Sequence, residues 1–488
     1  MNTLKRTLAL VATLAMTATA FASCGDKGSS STSEKATDAA SSNDEATTAA
    51  DTTAEVVDGD TIASDVKTGG DTFTVAAWNH DDVPALIASW KGLSADTIVE
   101  DLADNKVDGI KFIDFGVGGG KASENYDQLF NDGSDLDVYF VEADWALKYI
   151  NDDARTLPLS KLGLGDKDFP NIYSYTDEIG KDSNGVRKGI SWQAAAGGFA
   201  YRADLAKEYL GVDSPKAMQE KINNWDNFVA AAKTVSEKSS GSVALADSLG
   251  GMWQAFACGR TTPWVVDNKL QIDDSCKKFA ETAKALWDCG GVTKNSQWTD
   301  EWTAAGVSGN VMGYFVSTWG FGGFFLDAAG GEGGAQYGKW AVCEGPQAFY
   351  WGGTWMVVNP KTDNGEEARE FIVAATSDEA KMSAYAKSKP EYVNNSKVMD
   401  DLISANTVFN EKISGNFADK QNYFAELANN AKNIDFKGLI TPYDSTIKGN
   451  FADAVKENYL EGGKDWDATV DAFKDKVAES VPDLEWED

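Results

Sequence analysis

Segments typical of strands and helices alternate along the chain from residue 71, and this alternation limits the fold more than any other feature. Short apolar runs at 71–78, 110–115 and 136–141 have the composition of β-strands, and helix-like residues lie between them at 84–104 and 126–130. Strands that alternate with helices favour an α/β fold in which helices cover a mostly parallel sheet. We therefore expect a ligand to bind beyond the carboxyl ends of these strands.

The alternation continues towards the C-terminus, and the last third of the chain is mainly helical in character. No short repeat of the solenoid or propeller kind is present. Further strands are predicted at 198–202 and 311–316, and further helices at 225–235, 366–376, 378–386, 451–460 and 468–478.

The charge of the chain argues against several classes of function. Lys and Arg number 44 and Asp and Glu number 76, so the net charge is −32, which makes the chain a poor partner for nucleic acid or an anionic membrane surface. His80 is the single histidine, which excludes a His-rich metal site. The glycine-rich run 116–121 lacks the first glycine and the Ser or Thr of a phosphate loop. The sequence therefore predicts no metal and no cofactor.

The first 23 residues have the pattern of a secretory signal peptide, because Lys5 and Arg6 precede an apolar run at 8–22. That run is shorter than the roughly 20 residues that a membrane-spanning helix needs. Two cleavage sites compete. Ala20-Phe21-Ala22 would release a soluble protein, whereas the segment 21–25 resembles a bacterial lipobox with Cys24 as the lipidated residue, although Phe21 stands where an aliphatic residue is usual.

The composition after Cys24 favours the lipoprotein interpretation. Residues 25–70 contain no aromatic side chain and are mostly Ser, Thr, Ala and Asp, so they bury too little apolar surface to fold. We predict a solvated tether at 24–70 that holds an exported protein at the outer face of the cytoplasmic membrane or at the cell surface. A disordered leader without a role is the alternative.

Four cysteines remain after Cys24, and an exported chain permits disulfides between them. Cys276 and Cys289 lie at the two ends of one predicted helix, about 20 Å apart, so this pair is sterically excluded. Two bridges that also involve Cys258 and Cys343, or four buried free thiols, both remain open.

Polar and aromatic residues follow the first and third predicted strands. Trp78, Asn79 and Asp81 come just after the first strand, and Asp144 and Trp145 come just after the third. Because strand ends of this kind border the ligand site in open α/β sheets, these five residues are candidate ligand contacts.

The order of motifs over some 400 residues resembles the extracellular solute-binding proteins of ABC importers, the family that includes the maltose-binding protein. Each motif alone is weak, and the resemblance rests on their shared order and spacing. The matching segments are 131–138, 190–205, 224–228, 306–315 with Trp319, 344–346 with 352–358, 363–386 with Lys389 and Pro390, and 460–464.

The resemblance implies a two-lobed periplasmic-binding-protein-like α/β fold of type II, with three crossings between the lobes. Lobe 1 would comprise 71–192 and 358–390, and lobe 2 would comprise 193–357 and 391–488. The lobes would close on a ligand by hinge motion. It also implies a monomer that performs no chemistry and passes its ligand to a membrane permease.

Tryptophan is unusually frequent, with 16 residues, and this excess points to a sugar ligand. A sugar ring presents an apolar face to aromatic rings and hydroxyls to carboxylates and amides. The motif positions nominate Trp319 and Trp351 as stacking residues, followed by Trp192 and Trp78. The remaining candidates are Asp81, Asp144 and Gln193 as hydroxyl partners, with Trp145 and Trp253.

Seven of the other tryptophans fall into two groups. Trp225, Trp287 and Trp466 lie on helices or at helix starts and are assigned to packing, whereas Trp264, Trp298, Trp302 and Trp340 stay unassigned. His80 is expected to be partly exposed near the cleft.

The sequence thus predicts a lipid-anchored protein that binds a neutral mono- or oligosaccharide for an ABC importer. The acidic surplus argues against anionic sugars. A surface glycoside hydrolase or lyase is the main alternative, because paired carboxylates suffice for glycoside hydrolysis. A sugar sensor for a membrane kinase is a third possibility.

Overall fold

The computed structural model describes residues 60–93, 109–407, 409–435 and 438–486. These residues belong to one compact unit, Val56–Asp488. The predicted signal peptide, Cys24 and the tether up to residue 59 lie outside the described residues, as does the end of the helix predicted at 84–104.

Two sheets form the frame of the described part of the chain. The strands are β1 (Phe73–Ala77), β2 (Ile110–Asp114), β3 (Val138–Glu142), β4 (Gly189–Ser191), β5 (Gly197–Arg202), β6 (Ala244–Ala246), β7 (Val265–Val266), β8 (Lys269–Leu270), β9 (Val311–Ser317), β10 (Trp340–Cys343) and β11 (Thr354–Val358). The first sheet has the order β2-β1-β3-β11-β4, the second has the order β10-β5-β9-β6, and β7 and β8 form a separate two-stranded ribbon.

The predicted strands are present, but the expectation of mostly parallel sheets is wrong. In the first sheet β1 runs parallel to β2 and β3, whereas β11 runs antiparallel to β3 and β4. In the second sheet only β6 and β9 are parallel among the described pairs. The direction reverses because β4 carries the chain out of the first sheet and β11 carries it back in.

Most helices begin and end close to the predicted positions, but the helix predicted at 84–104 ends at Lys91 and the helix predicted at 126–130 begins at Gly119. Asn224 shows why most positions agree, because its side chain accepts a hydrogen bond from the Asn227 backbone at 2.9 Å and so caps the helix that follows. The helix predicted at 451–460 begins earlier than expected and continues as a π-helical turn, Val455–Glu461. Helices of eight or more residues are Asp82–Lys91, Gly119–Asn131, Pro215–Ile222, Trp225–Lys238, Leu249–Ala257, Asp274–Asp288, Asp300–Ser308, Gly365–Thr376, Glu379–Ser388, Ser396–Ser404, Phe424–Asn433, Asp444–Ala454 and Trp466–Ser480.

Three segments cross between the sheets, so the molecule has two lobes, each built around one sheet. The first crossing, 192–196, joins β4 to β5, and the second, 344–353, joins β10 to β11. The third, 389–395, joins the helices Glu379–Ser388 and Ser396–Ser404.

The three crossings are hydrogen-bonded to one another. The Trp351 N–H donates to the Ala195 carbonyl at 3.1 Å, which ties the second crossing to the first. The Ala194 N–H donates to the Tyr392 carbonyl at 3.0 Å, which ties the first to the third. The hinge between the lobes is therefore one bonded unit, and a rotation of the lobes bends all three segments together.

The described end of the predicted tether, 60–70, lies against the first lobe instead of extending into solvent. The Gly70 N–H donates to the Asp363 carbonyl at 3.0 Å, and Lys161 forms an ion pair with Asp65 at 2.6 Å. These contacts are possible without aromatic side chains because they use backbone and charged groups. They shorten the predicted tether at its C-terminal end.

The four cysteines beyond Cys24 are free thiols in the structure, which favours the alternative of free thiols over that of two disulfide bridges. Cys276 and Cys343 are buried, and Cys258 and Cys289 are half-buried. In the parts of the chain that the structure describes, every helix is too short or too polar to cross a membrane.

Candidate functional site

Three tryptophans meet where the second crossing passes the end of β9, and we call them the tryptophan cluster: Trp298, Trp319 and Trp351. The ring centroids of Trp319 and Trp351 are 5.2 Å apart, and the Trp298 ring lies 5.8 Å from the first and 5.6 Å from the second. Trp298 is 55% exposed. Trp302 and Phe324 stack at 4.3 Å and support the Trp298 ring from the interior. The cluster thus offers aromatic surface on a rigid base.

Local backbone geometry holds the cluster in place. Trp319 lies in the turn Thr318–Gly320, and its Nε1–H donates to the Trp351 carbonyl at 2.8 Å. Gly353 follows with φ of 103°, which side chains rarely permit. A Cβ there would lie 3.2 Å from the Ala195 Cβ, so glycine also allows the crossings to pack closely.

A second group of side chains, the charged cluster, lies beside the tryptophan cluster and consists of Asp144, Lys448, Arg260 and Asp444. The Lys448 ammonium contacts the two Asp144 carboxylate oxygens at 2.9 and 3.1 Å. The Arg260 Nη2 donates to the Asp444 Oδ2 at 3.0 Å. All four residues line one small cavity.

The Asp144–Lys448 ion pair joins the two lobes. Asp144 lies in the turn Ala143–Trp145, directly after β3 of the first sheet. Lys448 lies on the helix Asp444–Ala454, whose buried face packs into the core around the second sheet. Because each partner is carried by a different lobe, a rotation that separates the lobes at this point breaks the pair.

The cavity lies between the lobes and has a volume of about 30 Å³, which is room for a water molecule. Gly352 joins it to the tryptophan cluster, since a Cβ at Gly352 would lie 3.5 Å from both the Glu142 Oε1 and the Trp319 Nε1. The two clusters therefore form one site with an aromatic side and a charged side.

The electrostatics of the site depend on burial. Burial and the neighbouring Asp144 charge raise the pKa of Glu142 to about 8, so its carboxyl group is largely protonated at neutral pH. Burial opposes the charge on Lys448, but the Asp144 carboxylate outweighs it and the pKa of the lysine is raised. The site thus holds a hydrogen-bond donor and an ion pair within a few ångströms of aromatic rings.

Some of the candidate residues that follow the first and third strands lie close to one another or to the second crossing, and Asp81 does not. The ring of Trp78 contacts that of Trp145 at 5.5 Å, and Asn79 donates from Nδ2 to the Thr354 Oγ1 at 3.3 Å, close to the second crossing. Trp145 itself is 6% exposed and packs in the core of the first lobe, which corrects its assignment as a ligand contact. Asp81 does not join them, because its side chain is 78% exposed and pairs with the exposed His80 at 3.6 Å.

Trp192 and Trp253 are buried in the cores of the lobes, which corrects their assignment as ligand contacts. Trp192 has no exposed surface and packs edge-on against Phe140 at 5.5 Å. Trp253 is 2% exposed and lies 4.7 Å from Phe279 and from Phe451. A position beside a crossing or a glycine pair does not reveal which way a side chain turns. Neither ring has a face that a sugar could contact here.

The remaining tryptophans mostly pack as expected. Trp225, Trp287 and Trp466 contact the core of the second lobe, as predicted. Of those left unassigned, Trp264, Trp302 and Trp340 are buried, and only Trp298 among them is exposed.

The Gln193 side chain forms a hydrogen bond within the hinge, so its amide N–H is occupied by a protein partner rather than by a ligand. Its Nε2 donates to the Glu391 Oε2 at 2.9 Å, and the Thr318 hydroxyl donates to the other oxygen of the same carboxyl group. Glu391 belongs to the third crossing, Gln193 to the first, and Thr318 precedes Trp319. Burial, and secondarily the charge of Asp82, raises the pKa of Glu391 to about 8.

Replacement of Glu391 by glutamine is expected to reduce the pH dependence of stability. The pKa of Glu391 is near 4.5 when unperturbed and about 8 in the folded protein, so the folded state binds this proton more tightly. Its contribution to stability is complete below pH 4.5 and is lost as the pH rises through 8. Urea unfolding at pH 5 and pH 8 should show a smaller loss of unfolding free energy in E391Q than in the wild type. An unchanged loss would contradict the assignment.

Sequence reasoning missed Glu142, Trp298, Arg260, Asp444 and Lys448. Glu142 was detectable, because it directly follows the third predicted strand. The others carried no such signal, since Lys448 lies 304 residues beyond its partner Asp144 on the interior of a helix.

Two lobes built on separate sheets, three bonded crossings and a site to which both lobes contribute define a two-lobed ligand-binding protein. The model of a family described as bacterial extracellular solute-binding protein matches residues 109–412, more than half of the chain, and the chain belongs to that family. No curated protein matches the chain significantly.

Solved structures share the fold at low sequence identity. A crystal structure described as extracellular solute-binding protein family 1 has a TM-score of 0.67 and 18% identity, covering 85% of this chain and 100% of that one. The galacto-N-biose-/lacto-N-biose I-binding protein of the ABC transporter from Bifidobacterium longum has a TM-score of 0.63 and 15% identity, covering 86% and 100%. An ABC transporter associated binding protein from B. animalis subsp. lactis Bl-04, in complex with β-1,6-galactobiose, has a TM-score of 0.62 and 17% identity, covering 86% and 100%.

Proposed function

We propose that this solute-binding protein binds a neutral sugar or oligosaccharide between its lobes and delivers it to the permease of an ABC importer, with lipid on Cys24 as its membrane anchor. The observation that carries the proposal is the tryptophan cluster beside the charged cluster. Trp298, Trp319 and Trp351 supply the aromatic surface that the apolar face of a sugar ring requires. Asp144 and Lys448 supply acceptors and donors for its hydroxyls.

The size of the cavity implies that binding requires motion. A volume of about 30 Å³ is far below what a sugar ring occupies. Opening of the lobes would break the Asp144–Lys448 pair and expose its charged groups to an incoming hydroxyl. The predicted boundary at 357/358 would place most of β11 in the second lobe, but β11 pairs within the first sheet, so the proposed lobes are 71–192 with 354–390 and 193–353 with 391–488. Each lobe then contributes one partner of the pair.

Trp319 and Trp351 are the proposed stacking residues, and Asp144 is the proposed hydroxyl partner from the first lobe. Trp298 joins them on the strength of its contacts and its exposure. Trp78 and Asn79 border the first-lobe side of the site, and the buried Trp145 supports the Trp78 ring. Solved relatives of the same fold are described in complex with lacto-N-biose and β-1,6-galactobiose, which supports a saccharide as the ligand.

A thermal-shift panel tests the proposal. Lacto-N-biose, β-1,6-galactobiose, maltotetraose and acarbose are to be compared with amino acids, peptides and polyamines. A ligand that binds only the folded state stabilises it by about 2.7 kcal/mol at 100 times its Kd, so a neutral saccharide is expected to raise Tm and alter tryptophan fluorescence. A shift produced only by the other classes would overturn the sugar assignment.

The same saccharides test the alternative of a glycoside hydrolase. Glu142 and Asp144 provide a protonated and an ionised carboxyl group near each other, which is the pairing that hydrolysis uses. We expect intact saccharide after prolonged incubation, as measured by mass spectrometry. Cleavage products that depend on Glu142 would contradict a binding role.

A further inference from the structure

Arg260 is buried and rigidly held at the wall of the interlobe cavity. Its side chain is 5% exposed. The Nε donates to the Ala257 carbonyl at 3.2 Å, the Nη2 donates to the Asp444 Oδ2 at 3.0 Å, and the guanidinium lies 4.5 Å from the centre of the Trp264 ring. Three contacts therefore fix the plane of the guanidinium before any ligand arrives.

One nitrogen of this fixed group, the Arg260 Nη1, is buried and has no hydrogen-bond partner in the part of the chain that the structure describes. A buried donor without an acceptor costs free energy, and native proteins seldom retain one without a reason. Because Arg260 also lines the cavity between the lobes, an acceptor supplied there by a ligand would satisfy the nitrogen.

We propose that Arg260 is a specificity-determining residue of the site and that its Nη1 donates to an oxygen of the bound ligand. The inference rests on the proposed function, since it assumes that the ligand enters the interlobe cavity. A site with a preformed buried donor discriminates strongly against ligands that lack an acceptor at that place.

The charges around Arg260 indicate what kind of oxygen it binds. The Asp444 carboxylate neutralises Arg260, and the Asp144 carboxylate neutralises Lys448. Asp435 adds a further carboxyl group to the cavity wall. Among the described residues that line the cavity, no positive charge is left in excess, so the acceptor is a neutral hydroxyl oxygen, and a sugar carboxylate is repelled.

Arg202 provides a matched comparison within the same chain. It is 3% exposed, donates from Nε and Nη2 to Asp204 at 2.8 and 2.7 Å, and lies over the Trp340 ring. Its Nη1 is also without a partner among the described residues. Arg202 does not line the interlobe cavity, so an unpaired nitrogen by itself does not mark a ligand contact, and its position is the relevant difference.

The test is calorimetric titration of the wild type, R260K and R202K with lacto-N-biose, β-1,6-galactobiose and maltotetraose, and with digalacturonate as the charged probe. Lysine keeps the charge but lacks the fixed Nη1. R260K is expected to weaken binding of the neutral saccharide by roughly 10- to 100-fold, whereas R202K stays within about twofold. Melting curves of both variants report whether the fold is intact.

A ligand-side measurement covers the case in which R260K fails to fold. Monodeoxy derivatives of the saccharide that binds best are titrated into the wild type, and removal of one hydroxyl is expected to weaken binding about 10-fold or more. Where R260K folds, that loss should disappear in the variant, as a double-mutant cycle requires.

The possible results distinguish a failure of the proposed saccharide-binding function from a failure of the proposed role of Arg260. If no saccharide binds, the proposed function fails and this inference fails with it. If a neutral saccharide binds the wild type and R260K equally, or if every deoxy derivative binds like the parent, the role of Arg260 is wrong while the proposed function stands. Preferential binding of digalacturonate would overturn the neutral acceptor.

Discussion

W319A is expected to weaken saccharide binding by about 30- to 1000-fold, equivalent to about 2–4 kcal/mol, the range of strong aromatic contacts in binding sites. Alanine removes the ring that faces Trp351 at 5.2 Å and the Nε1–H that donates to the Trp351 carbonyl at 2.8 Å. The substitution therefore deletes one stacking surface and loosens a second. Calorimetric titration with the saccharide that most stabilises the wild type measures the effect.

Two further variants show whether the effect belongs to the cluster. W319F keeps an aromatic face without the N–H donor, so we expect an intermediate loss. Trp287 is a half-buried tryptophan on the helix Asp274–Asp288, outside the site, with Lys294 over its ring at 4.7 Å. W287A should bind like the wild type. Equal affinities for W319A and W287A would remove the tryptophan cluster from the site.

W253A is expected to lower the free energy of unfolding by about 3–5 kcal/mol, the usual cost of deleting a buried aromatic side chain. Trp253 is 2% exposed, contacts Phe279 and Phe451 at 4.7 Å, and donates from Nε1 to the Lys448 carbonyl at 3.1 Å. The substitution leaves a cavity in the core of the second lobe and removes the hydrogen bond from Nε1 to the Lys448 carbonyl. Urea unfolding monitored by circular dichroism gives the magnitude.

W298A serves as the comparison for W253A, because it removes an exposed tryptophan instead of a buried one. Trp298 is 55% exposed, so its removal takes little apolar surface from the core and should cost less than about 1 kcal/mol of stability. Its effect should appear in saccharide affinity instead. Similar losses of stability in W253A and W298A would contradict the distinction between a core tryptophan and a binding tryptophan.

Most of the fold could be predicted because its elements are encoded locally. The apolar runs that become β1, β2 and β3 and the cap at Asn224 depend on residues that are close in sequence. Strand direction could not be predicted in the same way. β11 is antiparallel to β3 because the second crossing returns the chain from the other lobe, and nothing within its five residues encodes that route.

The site was predictable only where motif position and side-chain direction agree. Trp319 and Trp351 were nominated from their places beside a strand end and a crossing, and the structure brings their rings together. Trp192 and Trp253 were nominated on similar grounds, yet both face inward. Trp298 had no signal, because it lies in a turn outside the predicted elements and its exposure depends on what the rest of the chain packs against it.

Sequence pattern placed five of the eleven described strands and many of the helices, and it supplied the resemblance to solute-binding proteins and the excess of aromatic rings. Tertiary structure alone decided which rings face a ligand, and it paired Asp144 with Lys448 and Arg260 with Asp444 across long stretches of chain. The reason is physical. Local pattern specifies the element on which a side chain lies, whereas its partner and its exposure depend on what the rest of the chain packs against it.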